Sequence, residues 1–217
     1  MTQAAGSNIS SGPGIRRAGE SPRQSEILDR ALDLVRESGL AALTMKKVAE
    51  RVGFTEAAFY RHFPSKKALI LGMIDRLEGM LVEPIRILAR DASKKPSERL
   101  ESIVRHHTAL VRKHNSLPIL LLAEASVSDD VELLGRMRSI FHAYLSVLEG
   151  VLREGQTGND ISEESRADCL ALLLLGAPAA LAIRHRLLPD ARAEDRFEEM
   201  LIPFLINSLK TVKGRSR

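Results

Sequence analysis

Residues 44–66 read TMKKVAERVGFTEAAFYRHFPSK, and their order of caps, apolar positions and breakers leaves little choice of local structure. Thr44 suits a helix N-cap, and Met45, Val48, Ala49 and Val52 then recur at the three- and four-residue spacing of one helix face. Gly53 follows where that helix must stop and the chain must turn, a place that rewards a residue without a Cβ. Thr55 caps a second short helix, Glu56 favours its positive end, and Phe59 and Phe63, four apart, point back into the core. Thr55, Glu56, Ala57, Tyr60, Arg61 and His62 are left on the outer side, small, polar or cationic. Pro64 should close this helix and Ser65 cap the next, with Lys66 and Lys67 in its first turn. Lysine is a poor neighbour for the positive end of a helix unless an anion is expected there. Phosphate is the obvious anion, so the pattern is a helix-turn-helix suited to a DNA backbone.

With residues 23–43 before it and Ala68 and Leu69 after it, this block resembles the DNA-binding domain of the TetR family of bacterial transcriptional regulators. The resemblance implies an all-α protein with a three-helix helix-turn-helix domain over residues 23–70 and a larger helical domain over residues 71–210 that dimerises and binds an effector. It implies a homodimer whose N-terminal domains enter successive major grooves of double-stranded operator DNA, working as a repressor released by a small hydrophobic ligand of unknown identity. Thr44 and Lys46 would then approach phosphates. Thr55, Glu56, Ala57 and Arg61 would face base edges, while Tyr60, His62 and Lys66 hold the backbone. Glu56 is either an acceptor for a cytosine amino group or a helix-end charge that touches no base. A nucleoid-occlusion regulator of cell division shares the architecture and a similar E-A-A-x-Y-R-H-F-P-S-K block, and is the alternative reading. An all-helical enzyme is the remote one: no Gly-rich phosphate loop, nucleophile elbow or metal-spaced Cys pair appears, so no catalytic residue and no cofactor is expected.

Charge placement agrees. Residues 15–67 hold eleven Lys or Arg against seven acids, a surplus equal to the +4 of the whole chain. The bias sits where the motif sits, which favours phosphate contact over a generally sticky surface. One cysteine, Cys169, excludes an internal disulfide and fits a reducing cytoplasm. The N-terminus has no cationic start followed by an apolar core, so no signal peptide is expected.

Residues 1–22 are Ser-, Gly- and Ala-rich and read as a mobile arm, in which Arg16 and Arg17, with Arg23 after it, either brush DNA or stay solvated. Residues 211–217 read as a basic tail. Ile27, Ala31, Leu34 and Val35 predict a first helix ending near Gly39. A long helix starts after Ser65 and passes Pro84, linking the two domains. Five more follow: one opened by Pro96, a short one at Pro118, a long one from about Asp129 to Glu154, one capped by Ser162 after a turn at residues 155–160, and a last one to Leu209.

Residues 169–183, CLALLLLGAPAALAI, are all apolar, Gly or Pro. The run is short of the roughly 20 residues that cross a membrane, so no membrane partner is expected. A helix apolar all round must be covered all round. Leu173, Gly176, Ala177 and Ala180 of this helix, with Phe197, Leu201, Phe204 and Leu205 of the last, therefore predict a four-helix interface between two chains. His107, Phe141 and Tyr144 are candidates for an effector pocket, or for core. His107 and His114 share a helix face and, with Glu124, could supply polar hooks for a ligand, but no carboxylate or cysteine spacing supports a metal.

Overall fold

Helices begin where a side chain can take up an orphan backbone N–H. The computed structural model, which describes residues 20–114, 116–188 and 191–210, shows such caps throughout the first third of the chain. Ser21 caps α1 (Pro22–Ser38) in a reciprocal box with Gln24, so Pro22 opens a helix and does not end an arm. After a 3-10 turn (Leu40–Ala42), Thr44 caps α2 (Met45–Val52), accepting from Lys47 N at 3.2 Å. Gly53 ends α2 at φ 74°, the left-handed conformation that a Cβ disfavours. Thr55 caps α3 (Glu56–Tyr60) and Ser65 caps α4 (Lys66–Ala89). α3 stops at Tyr60, well before Pro64. The Phe59 carbonyl accepts from both His62 N at 2.9 Å and Phe63 N at 3.1 Å, which tightens the chain into a turn, and Pro64 disfavours helical backbone in the residue before it.

Ile27, Ala31, Val35, Val48 and Phe59 lose all their exposed surface in this module, and Leu69 and Met73 of α4 close it from below. The second half of α4 carries the same core onward, with Leu77, Leu81, Val82 and Ile85 buried alongside the C-terminal helices. Pro84 sits inside α4 without ending it. Midway, the buried guanidinium of Arg76 donates to Glu20 at 2.7 Å and to Ser25 Oγ at 2.9 Å, with Asp29 at 3.4 Å, and so ties α4 to α1.

The remaining elements are α5 (Pro96–Lys113), α6 (Leu117–Ser128), α7 (Val131–Thr157), α8 (Ala167–Leu187) and α9 (Ala191–Leu209). α4 packs on α5 and α7, α5 packs also on α8 and α9, and α7 packs on α6 and α8. Arg99 of α5 is buried and paired with Glu154 of α7, while its Nη1 donates to the Ala89 carbonyl at 2.7 Å. Two boundaries differ from expectation. Gly155 belongs to α7, not to a turn, because Ile161 folds against it; a Cβ there would lie 2.5 Å from Ile161 Cδ1. The turn falls later, with Asn159 at φ 56°. Ser162 accepts from Glu164 N within a short turn, and α8 starts only at Ala167.

Candidate nucleic-acid interface and the faces around it

Thr44, Lys46, Thr55, Glu56, Ala57, Tyr60, Arg61 and Lys66 are all exposed, over a module core that is fully packed beneath them. The capping threonines serve twice. Thr44 Oγ1 accepts from Lys47 N and Thr55 Oγ1 from Ala58 N, each at 3.2 Å, which leaves each hydroxyl proton free to donate outward. Arg51 of α2 is bonded to Glu37 of α1 at 2.7 Å, so the helix in front of the turn is pinned, and this bond holds the Glu37 carboxyl below its usual range.

His62 is only half exposed. Its ring stacks on Phe54 with centroids 5.8 Å apart, and its carbonyl accepts from Gln24 Nε2 at 3.5 Å. Arg23 lies over the same Phe54 ring at 5.4 Å and pairs with Glu26 at 2.5 Å, so it is part of α1 and not of an arm. Arg16 and Arg17 lie outside the described residues. The residues expected to meet phosphate thus lie on the exposed side of the module at the start of α2 (Thr44 and Lys46), at and just after the end of α3 (Tyr60 and His62) and at the start of α4 (Lys66), and together make its candidate DNA edge. Sequence reasoning missed the acids behind that edge. Lys66 Nζ lies 3.4 Å from Glu124, and Lys67 Nζ lies 2.9 Å from both Asp130 and Glu132.

The face expected to join two chains is only partly as read. Leu173 is 53% exposed and Phe204 72%, with Gly176 and Ala180 exposed between them and Ala177 and Leu201 half-buried. Leu205 is corrected: it is 8% exposed and belongs to the chain's own core, because it shares with Ile202, Ile206 and Leu209 the side of α9 that is buried in the chain's own packing against α5 and α8. The side chain of Phe197 lies outside the described residues. Leu172, Ile183 and Leu187 of α8 and Met200 of α9 extend the exposed stripe. Residues 167–185 are long and apolar enough to cross a membrane by composition, yet the α8 side chains Ala171, Leu174 and Ala182 are fully buried against the protein's other helices.

Of the three pocket candidates, two meet. His107 Nδ1 and the Tyr144 hydroxyl are 3.1 Å apart, both buried between α5 and α7. Burial pushes the His107 pKa down to about 4 and the Tyr144 pKa up, so both stay neutral. Phe141 does not join them; it points outward with its ring edge against His142. Among the described residues no group of three or more His, Cys, Asp and Glu is placed to hold a metal.

Residues 27–73 match the family described as bacterial regulatory proteins, tetR family. The chain is 31% identical to the nucleoid occlusion factor SlmA of Vibrio vulnificus (strain YJ016) over 159 residues, covering 72% of this chain and 80% of that one. It is similar in structure to the MbdR regulator from Azoarcus sp. CIB, with a TM-score of 0.72 and 25% identity over 85% of this chain and 97% of that one. The transcriptional regulator FadR from Bacillus subtilis, solved in complex with stearoyl-CoA, shares the fold at a TM-score of 0.71 and 19% identity, over 85% and 98% of the two chains.

Proposed function

The chain belongs to the TetR family of bacterial regulatory proteins and is a DNA-binding transcriptional regulator, and from that membership we propose that it is a homodimeric repressor which a small hydrophobic ligand releases from its operator. The observation that carries the DNA side is the exposure of Thr44, Lys46, Thr55, Glu56, Ala57, Tyr60, Arg61 and Lys66 around a helix-turn-helix core in which Val48, Ala49, Phe59 and Phe63 are buried. The Thr44 hydroxyl and the cations Lys46 and Lys66 accompany an exposed set of Thr55, Glu56, Ala57 and Arg61. Hydroxyls and cations position a protein on phosphates, while the small and polar side chains between them can approach base edges. Tyr60 and His62 border the same edge, His62 held by Phe54.

Dimerisation is supported by the exposed stripe on α8 and α9. Large side chains such as Leu173, Leu187, Met200 and Phe204 are left in water by the single chain, an arrangement that soluble proteins cover with a partner. A second copy offers the same stripe to itself in a two-fold, four-helix contact. The effector reading rests on the helical domain over residues 71–210 and on the likeness to a regulator that carries stearoyl-CoA. The 31% identity to SlmA favours a second reading, a regulator that engages a cell-division protein while on DNA.

Selection of genomic fragments on the purified protein identifies the operator. Titrating the complex with long-chain acyl-CoA, and separately with a cell-division filament protein, then separates the readings. Release by the acyl-CoA supports the first; a ternary complex with the filament protein and no response to acyl-CoA replaces it with the second.

A further inference from the structure

The two neighbouring lysines at the start of α4 meet the C-terminal helices in different ways. Lys67 is gripped twice, by Asp130 and Glu132 at 2.9 Å each. Asp130 is itself fixed as the N-cap of α7, its Oδ1 accepting from Glu132 N at 3.0 Å and Leu133 N at 3.2 Å. The contact raises the Lys67 pKa and lowers that of Asp130, in each case chiefly through their mutual hydrogen bond. Farther along the helix, Arg136 of α7 pairs with Asp75 of α4. Among the described residues Lys66 has a single carboxylate, Glu124 of α6, at the longer distance of 3.4 Å.

Lys66 is also one of the exposed residues proposed above to meet the DNA backbone. Two anions drawn to one ammonium repel each other, so phosphate and Glu124 compete for it. We infer that Glu124 is a positioning residue for the DNA contact: it holds Lys66 against α6 in the free protein, and a DNA phosphate replaces it on binding. DNA thereby opens one tie between α6 and α4, whose packing on each other remains, while the double grip on Lys67 stays closed. The inference rests on the docking of Lys66 on phosphate given above. By reciprocity, whatever presses α6 onto α4 weakens DNA binding, and DNA weakens that pressing by the same factor.

The test needs no operator, because phosphate contacts carry no sequence information. A random-sequence duplex of about 30 base pairs accommodates two recognition helices about 34–36 Å apart. With the full chain, Glu124→Gln keeps the side-chain shape and removes the competing charge. Affinity should rise about threefold at low salt, the size expected for losing one exposed ion pair, and the gain should fade as salt is raised. In a Lys66→Ala background the same substitution should change nothing. Glu132→Gln, which loosens only the grip on Lys67, should give no tightening. No gain from Glu124→Gln, or a gain that survives in Lys66→Ala, overturns the inference while leaving Lys66 on phosphate. If Lys66→Ala alone leaves affinity and its salt dependence unchanged, the docking of Lys66 fails first, and the inference with it.

Discussion

The outer edge of the helix-turn-helix and the stripe on α8 and α9 are both surfaces awaiting something, and they wait differently. Beneath the first, Phe59, Val48 and Ile27 are fully buried, and what protrudes is hydroxyls, including that of Tyr60, charges of both signs and small side chains. Beneath the second, Ala171, Leu174 and Ile202 are buried, yet Leu173, Leu187, Met200 and Phe204 still protrude. Water satisfies the first face until DNA arrives, so its partner can come and go. Water does not satisfy the second, so the second copy proposed for it would stay bound for most of the protein's life. A transient partner and a standing one are thus distinguished by surface chemistry alone.

The largest test strikes the support of the DNA face. Phe59→Ala should cost about 3–5 kcal/mol, as for other fully buried aromatics, and denaturant melts should show it with DNA binding lost in parallel. If binding survived, the face would not depend on its core. Gly176→Glu attacks the other surface: an unpaired charge buried between two chains should weaken the dimer by about 3 kcal/mol or more, read by sedimentation equilibrium. A wild-type monomer at micromolar concentration would remove the standing partner altogether.

A pH titration probes the core that joins the two surfaces. His107 is neutral in the folded chain with its pKa lowered to about 4, against 6.5 when free. The unfolded chain therefore binds the extra proton first, and stability should fall as pH drops from 6.5 toward 4, by up to about 3 kcal/mol. His107→Gln should flatten that slope; an unchanged slope would show that other groups cause it. Gly155→Ala drives a Cβ into Ile161 and should cost about 1–3 kcal/mol with no effect on DNA contacts. Thr55→Ala is the smallest, about 1 kcal/mol from the lost cap, yet it should weaken DNA binding further than a stability change explains. Equal loss on both counts would leave the outward hydroxyl without a role.

The N-terminal module was nearly all legible because its signals are local. Thr44, Gly53, Thr55 and Ser65 each act on backbone within three residues, and each cap or turn stands where the residue type placed it. The one start that was missed, at Pro22, had a readable sign in Ser21 and Gln24, hidden by the Ser- and Gly-rich stretch before it. Farther along, chain-distant contacts decide. Gly155 resembles a breaker until Ile161 packs on it, and Leu205 cannot be told from Phe204 on a helix apolar over so wide an arc. Glu124 lies 58 residues from Lys66, and no pattern in either segment announces the pair.

α4 carries one continuous core through both parts of the chain, with Leu69 and Met73 beneath the helix-turn-helix and Leu81 and Ile85 among the C-terminal helices. Anyone who wishes to graft this DNA-reading head onto a different sensor inherits that fact. A splice near residue 70, where the recognisable motif ends, would cut a continuous helix and strip the floor from the head. The workable seam is the loop between Ala89 and Pro96, so the head travels with its whole supporting beam, and a new sensor must be chosen to fit the far end of that beam.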